Sequence, residues 1–269
     1  AGEKGLRKTS LTFGDAEAIG KAIEDIAYRR GEGDELAEGS RILGKKYGGA
    51  DFAINVKGME LAAYDPRGGW GHGLNYAVAN RGGCHLNAYL IGQEAIFGYL
   101  NPYTTRAKAP WVDFFENLFS AMNSLQTCQF TSFGYLLEPP IAKYTPAPLL
   151  GFFMQNLPRM TMLLLDYRIL SDFVQGISGT RMTMNQFLNA GRRVHVLERY
   201  MNTLRGISKK DDTLPGRFLT EGKTAHPRES VVPIESMLPS YYRIKGYDSD
   251  GIPLRRTLEK LGIEPVRTP

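Results

Sequence analysis

The chain has 269 residues, of which 42% are hydrophobic and 23% are charged, and its net charge is +5 at neutral pH. These values are typical of a folded globular protein with a full core, and they exclude a disordered chain. Basic residues are distributed along the sequence without forming one stripe, so we expect no nucleic-acid partner.

Two further features bear on the cellular compartment. The longest apolar tract, 148–165, is interrupted by polar residues and a proline, which would be costly at the centre of a bilayer, so we expect no membrane span. The only two cysteines are Cys84 and Cys128, too few for a disulfide framework. With no signal-peptide pattern at the start, the sequence predicts a cytoplasmic protein.

Amphipathic helices are predicted in the N-terminal part of the chain. Asp15 is positioned to cap a helix whose apolar residues recur every three to four positions as far as Gly31. A second helix is predicted over 34–47, with Asp34 as its cap. Residues 52–57 are predicted to form a short extended segment.

Helices also dominate the rest of the sequence. Helical periodicity is clear over 111–122 and strongest over 183–204, and two shorter helices are predicted over 234–247 and 254–261. The charges at 209–212 are predicted to be solvated in a polar loop. The pattern therefore predicts an all-α fold with several packed helices.

The segment 64–85, YDPRGGWGHGLNYAVANRGGCH, gathers glycines around polar side chains. We expect its first four glycines to keep the chain irregular until a helix resumes at 74–80, with backbone N–H groups that could bind an anion. Arg81 and His85 add a guanidinium for an oxyanion and an imidazole for proton transfer. A tight connection with a packed Cys–His pair is the structural alternative.

Cys128 follows a predicted helix in the segment MNSLQTCQFTSFG. A buried free thiol in the core is the simplest interpretation of such a cysteine. Two cysteines cannot hold an iron–sulfur cluster or a tetrahedral zinc ion by themselves, because these need about four ligands. Any metal centre at Cys128 must therefore be completed by other residues.

The segment 57–89, KGMELAAYDPRGGWGHGLNYAVANRGGCHLNAY, resembles the corresponding part of the tungsten-dependent aldehyde:ferredoxin oxidoreductases. Four more segments resemble that family in the same order, so the resemblance covers nearly the whole chain: 11–18, 34–40, 209–218 and 246–253. It implies the helical C-terminal region of the family, with 1–57 as the end of a middle helical domain and 58–269 as the C-terminal domain.

The family carries a bis-pterin cofactor of tungsten, or alternatively molybdenum, beside a [4Fe-4S] cluster. By resemblance, Arg81 contacts the pterin, and His85 lines the substrate pocket and assists proton transfer. Segment 123–128 matches the D-x-x-G-L-C motif, which implies that Cys128 is one of four cluster ligands. Further cofactor contacts are implied at Asn87, Asn123, Thr127 and Gln129.

The sequence departs from the family pattern at several positions. Asn123 and Gln126 replace the aspartate and glycine of the motif, so a negative charge gives way to an amide donor. Asn87 stands where a basic residue is common. Segment 136–172 is longer than the family norm, and we interpret it as a substrate lid or partner contact. Cys84 has no implied role and is predicted to be a packed neighbour.

The resemblance implies an enzyme that oxidises small aldehydes to carboxylic acids and passes electrons to a ferredoxin-like acceptor, and it allows a homodimer. The family's pterin-binding β domain, its C-x-x-C-x-x-x-C run and its D-x-x-G-L-D motif are expected before residue 1. We therefore expect the chain alone to bind no cofactor and to be inactive. Two alternatives are open: a related tungsten enzyme that reduces an aromatic acyl-CoA, and a non-catalytic structural or electron-transfer paralogue.

Overall fold

The fold is built almost entirely from helices. The structure is a computed structural model that describes residues 11–12, 14–49, 53–137, 143–222 and 231–266. The strands among these residues are β1 (Asn55–Val56) and β2 (Met59–Glu60), which form one short antiparallel hairpin. The all-α prediction is therefore confirmed, and the hairpin agrees with the extended segment expected at 52–57, whose first residue lies outside the described ranges.

Three helices precede the hairpin: α1 (Ala16–Ala27), α2 (Glu32–Leu36) and α3 (Gly39–Lys46). Asp15 caps α1 as predicted, because its carboxylate accepts a hydrogen bond from Ala18 N at 2.9 Å. The single helix predicted over 34–47 is wrong. Gly39 adopts a φ of +82°, which separates α2 from α3.

Helix α4 (Trp70–Val78) follows a 3₁₀ turn at Pro66–Gly68 and begins four residues before the predicted start at 74. Gly71 and Gly73 lie inside it, although we expected them to prevent regular structure. A Cβ on Gly71 would lie 2.2 Å from the Leu90 side chain, and one on Gly73 would lie 2.8 Å from Val232. These glycines therefore permit close packing of a buried helix.

The remaining helices follow in chain order after a short π-helical turn at Gly92–Ile96. They are α5 (Lys108–Ser124), α6 (Ser132–Leu137), α7 (Ala147–Asn156), α8 (Pro158–Leu164), α9 (Arg168–Ser178), α10 (Met184–Thr203), α11 (Gly216–Thr220), α12 (Ile234–Lys245) and α13 (Arg255–Lys260). The helices predicted over 111–122, 183–204, 234–247 and 254–261 correspond to α5, α10, α12 and α13.

Helices α5 and α10 pack along each other at the centre of the fold. Thr183 and Gln186 form the capping box that starts α10. Gly191 of α10 faces α5 so closely that a Cβ there would lie 1.8 Å from the Asn117 carbonyl oxygen. Only glycine allows this approach of the two backbones.

The apolar tract 148–165 forms the helix pair α7–α8. Trp111 of α5 anchors the pair by donating its indole N–H to Met154 O at 2.8 Å, while Phe152 and Leu163 lie on the exposed side. None of the described helices is long and apolar enough to cross a membrane. A lid or partner role for 136–172 stays a prediction, and part of that segment, 138–142, lies outside the described residues.

Candidate functional site

The turn that carries Arg81 and His85 is fixed to helix α4 by Asn75. This buried side chain donates from Nδ2 to Cys84 O at 3.1 Å and accepts from Ala88 N at 2.6 Å. The two bonds span both ends of the turn 84–88, so the position of His85 depends on α4. Asn75 was not identified from the sequence, because nothing in a helical pattern marks a polar residue that faces inward.

The glycine-rich segment does bind an anion through backbone N–H groups, but the anion belongs to the chain itself. The N–H groups of Gly71 and His72 each donate to the Glu94 carboxylate at 2.9 Å. Lys108 Nζ lies 2.5 Å from the same carboxylate, and both side chains are fully buried. These two N–H groups are therefore satisfied within the chain, which agrees with the structural alternative of a tight connection.

His85 lies in a cluster of aromatic rings. Its ring centroid is 5.5 Å from that of Tyr64 and 6.1 Å from that of Tyr89. Burial, and then the positive charge of Arg81, lower the pKa of His85. The imidazole is therefore neutral at physiological pH and able to accept a proton.

Cys128 lies on an exposed loop directly after α5, and its thiol is free. The adjacent Gln129 donates from Nε2 to Leu86 O at 2.5 Å, which ties this loop to the turn of His85. Thr127 is held by its hydroxyl bond to Met122 O at 3.2 Å. The structure thus places the predicted cluster ligand beside the predicted substrate-pocket histidine turn.

The Cys128 loop also meets the aromatic cluster directly. Phe130 packs edge-on against Tyr89 with the ring centroids 5.7 Å apart, and Tyr89 contacts His85. Two independent contacts therefore join the segments at 84–89 and 128–130, which are far apart in the sequence.

Three of the predicted site residues line one cleft of about 480 Å³: Arg81, Asn87 and Asn123. Helix α10 forms the opposite side of this cleft through Val194, Glu198, Met201 and Asn202, with Arg205 just after the helix. This wall was not predicted from the sequence, because it depends on contacts such as the hydrogen bond from Asn202 Nδ2 to Asn80 O at 2.7 Å, between residues 122 positions apart. His85, Thr127, Cys128 and Gln129 lie outside the lining of this cleft.

A buried charge network lies under Asn87. Its Nδ2 donates to Glu116 at 2.7 Å, and the same carboxylate accepts from Tyr241 at 2.7 Å and pairs with Lys245 at 2.9 Å. Burial alone would raise the pKa of Glu116, but the charge of Lys245 and the hydrogen bonds outweigh it and lower that pKa to about 2. Glu116 is therefore ionised and orients the Asn87 amide.

A second buried network corrects the prediction of solvated charge for Asp212, the last residue of 209–212, whereas Lys210 is exposed as predicted. Asp212 is 1% exposed and forms a two-pronged pair with Arg199 at 2.8 and 2.7 Å. Lys57 Nζ approaches the same carboxylate at 2.9 Å. Burial would raise the pKa of Asp212, yet these two cations lower it. Asp212 thus connects the hairpin, α10 and the 209–212 loop.

The donor set suits one ligand of a cluster rather than a complete metal site. Among the described residues, no group of three or more His, Cys, Asp and Glu side chains could hold a metal ion. Cys84 is 2% exposed, as expected for a packed thiol, whereas Cys128 is accessible. Only Cys128 therefore offers a thiolate to an external cluster.

Residues 1–263 match the family model described as aldehyde ferredoxin oxidoreductase, domains 2 and 3. The chain belongs to the aldehyde ferredoxin oxidoreductase family. This match confirms the resemblance drawn from the sequence and the assignment to the helical C-terminal region of the family.

The curated relatives agree with this family assignment. The chain is 36% identical over 257 residues to the tungsten-containing aldehyde ferredoxin oxidoreductases of Thermococcus kodakarensis and Pyrococcus furiosus, covering 93% of this chain and 37% of each relative. It is 34% identical over 266 residues to the Pyrococcus horikoshii protein of the same name, covering 97% of this chain and 39% of the relative. The chain therefore spans about two-fifths of the length of these relatives.

A solved structure shares the fold. It is described as the active site complex BamBC of benzoyl coenzyme A reductase in complex with 1,5-dienoyl-CoA, and it superposes with a TM-score of 0.62 at 21% identity. The match covers 97% of this chain and 42% of that chain. This likeness shows that the two chains share a fold.

Proposed function

We propose that this chain is the C-terminal part of a tungstopterin and [4Fe-4S] oxidoreductase that oxidises small aldehydes to carboxylic acids and reduces a ferredoxin-like acceptor. Membership of the family and its tungsten-containing relatives support the proposal. The observation that carries it is the bond from Gln129 to Leu86, which holds the accessible Cys128 loop beside the turn of Arg81 and His85.

The side chains fit the implied groups. The accessible thiol of Cys128 would supply one ligand of the cluster, while the exposed Arg81 and Asn123 would offer donors to the pterin. Asn87 would present an amide held in place by Glu116. When bound, the metal–pterin group and the cluster would supply the two-electron redox chemistry and the path for the electrons.

His85 would serve as the proton acceptor. Oxidation of an aldehyde by water yields a carboxylic acid, two protons and two electrons, so a base near the substrate must take up a proton. The lowered pKa of His85 leaves its imidazole neutral and available for this step. Tyr64 and Tyr89 would form aromatic walls that exclude water around it.

The cellular setting that we propose is the cytoplasm, where the free thiols of Cys84 and Cys128 would stay reduced. The electron acceptor would be a small ferredoxin-like protein. The net charge of +5 favours an acidic partner of this kind.

The proposal is tested by assaying the full-length protein, prepared without oxygen, with a panel of aldehydes and a viologen dye. We expect carboxylic acid formation, and we expect His85→Asn to lower kcat by about 100-fold or more with a smaller change in KM. Lys21→Met, at an exposed pair far from the site residues in sequence, is the control and should leave kcat unchanged.

Two outcomes would overturn the aldehyde assignment. Reduction of an aromatic acyl-CoA without aldehyde oxidation would favour the reductase alternative. A protein that carries out neither reaction, although it contains tungsten and iron, would favour a non-catalytic paralogue.

A further inference from the structure

A cleft outside the candidate site is lined by positively charged side chains. It has a volume of about 750 Å³ and lies between helices α10, α12 and α13. We call it the basic cleft. Among the described residues, its lining contains no Asp or Glu and five cations: Arg192, Arg193, Arg243, Arg256 and Lys260.

The fold creates this concentration of charge. The five cations come from three separate segments of the chain, so the sequence shows no basic stripe. The net charge of the chain is +5, and this one cleft therefore holds as many cations as the whole excess. Cations gathered in a concave surface raise the local positive potential, which attracts anions.

Two of the arginines are held in place by the helix ends that border the cleft. Arg192 donates from Nη2 to Ile244 O at 3.1 Å and to Lys245 O at 3.3 Å, at the end of α12. Arg193 donates from Nη2 to Gly262 O at 3.1 Å, just after α13. These bonds stabilise the helix ends, and they also fix two guanidinium groups before any ligand binds.

Helix α13 carries a charge pattern that is unfavourable for folding. Arg256 and Lys260 are four residues apart on one face, and like charges at this spacing destabilise a helix. Arg256 also lies in the first turn, where the helix dipole disfavours a cation. By contrast, Arg255 pairs with Glu259 at 2.8 Å with the same spacing. The unfavourable pair is the one that lines the cleft, which indicates a role in binding.

Three cations of the basic cleft have head groups available for a ligand. Arg243, Arg256 and Lys260 are exposed, and they form no ion pair and no side-chain hydrogen bond with other residues in the described part of the chain. Four of the five cations in the lining are arginines. The forked guanidinium group matches the oxygens of a phosphate with two parallel hydrogen bonds, so this composition favours a phosphate-bearing anion.

We propose that the basic cleft binds a diphosphate group, either as free pyrophosphate or as part of a nucleoside diphosphate. A diphosphate carries about three negative charges at neutral pH, which offset most of the five cations. A concave site of about 750 Å³ has the size of a small-molecule pocket rather than of a protein interface. Ile244 and Leu261 add an apolar part to the lining, which suits the base of a nucleotide. The inference does not depend on the redox activity proposed above.

Isothermal titration calorimetry of the full-length protein with inorganic pyrophosphate, at low salt and without divalent cations, tests the proposal. We expect a Kd below about 1 mM that increases with added salt. Arg243→Gln and Arg256→Gln should each weaken binding by about tenfold or more, because each removes a charge-assisted hydrogen bond. Arg255→Gln is the matched control. It removes the same charge from α13 outside the lining of the cleft, so Kd should change by less than about threefold.

Titration with ADP distinguishes the two sources of the diphosphate. Equal affinities for ADP and pyrophosphate would support binding of the diphosphate group alone, whereas tighter binding of ADP would support a nucleotide whose base contacts the apolar part of the lining. Inorganic phosphate should bind at least about tenfold more weakly than pyrophosphate, since it forms fewer charge-assisted hydrogen bonds.

Several results would overturn the proposal. They are a wild-type protein that binds neither pyrophosphate nor ADP, inorganic phosphate binding as tightly as pyrophosphate, and wild-type affinity for pyrophosphate in both Arg243→Gln and Arg256→Gln. An equal loss of affinity in Arg255→Gln and Arg256→Gln would indicate a general charge effect and would also contradict it. Binding of a polyglutamate peptide without binding of pyrophosphate would instead assign the basic cleft to an acidic protein surface.

Discussion

Burial sets the protonation state of the two histidines nearest the candidate site. The pKa of His72 is lowered to about 3, and that of the half-buried His85 is lowered by its surroundings and by Arg81. Both rings are therefore neutral at physiological pH. The same burial makes the fold sensitive to acid, because the unfolded chain would protonate these histidines near pH 6.5.

Acid stability should depend on His72. Its pKa is lower in the folded chain, so the unfolded chain binds more protons below pH 6.5, and the free energy of unfolding falls as pH decreases towards 3. Between pH 6.5 and 3, we expect protonation of His72 in the unfolded chain to lower the free energy of unfolding by about 1.4 kcal/mol per pH unit. Urea titrations at pH 7, 6 and 5 should therefore show a smaller loss for His72→Phe. Equal losses in the two proteins would contradict the buried, neutral state.

Asn75 and Asn123 allow a buried and an exposed asparagine of the candidate site to be compared by the same substitution. Asn75→Ala leaves Cys84 O and Ala88 N without their buried partner, so we expect a loss of about 1–3 kcal/mol in the free energy of unfolding. Asn123 is exposed, and Asn123→Ala should change stability by less than about 0.5 kcal/mol. Chemical denaturation measures both changes. Similar losses for the two variants would show that Asn75 does not anchor the turn.

At the scale of single elements, local signals in the sequence predicted helix ends better than helix contacts. Asp15 marks the start of α1, because capping depends on a neighbour three residues away. Gly71 and Gly73 were misread because their role depends on Leu90 and Val232, which only the folded chain brings against α4.

At the candidate site too, local sequence motifs were predicted and tertiary contacts were not. The turn 81–87 and Cys128 were identified from motif resemblance, whereas the α10 wall of the cleft was not. That wall depends on tertiary contacts such as Asn80 Nδ2 to His195 O at 2.9 Å, which no periodicity reveals. Likewise, the buried position of Asp212 follows from its pairing with Arg199, not from its charged neighbours in the sequence.

Replacing each of two helical glycines by alanine should change the stability of the fold in opposite directions. Gly191→Ala places a Cβ 1.8 Å from Asn117 O, so α5 and α10 must separate, at a cost of about 1–3 kcal/mol. Gly176 of α9 has no atom within 4 Å of the added Cβ, so Gly176→Ala should gain about 0.5–1 kcal/mol from helix propensity. Thermal unfolding should give a lower Tm for the first and a higher one for the second. A shift in the same direction would contradict the close contact of α5 with α10.

For the molecule as a whole, buried ion pairs join different structural elements around the candidate site. Glu94 pairs with Lys108, Glu116 pairs with Lys245, and Asp212 pairs with Arg199. Removing one partner of such a pair would leave an uncompensated buried charge, so these networks fix how the helices meet. They hold α4, α5, α10 and α12 in place beneath the turn of His85 and the Cys128 loop.

In the proposed function, the accessible Cys128 is one ligand of a cluster that other parts of the full-length protein complete. Iron analysis of the full-length protein, prepared without oxygen, tests it most directly. We predict about four iron atoms per chain in the wild-type protein and in Cys84→Ala, and a marked loss of iron in Cys128→Ala. Wild-type iron content in Cys128→Ala would contradict the claim.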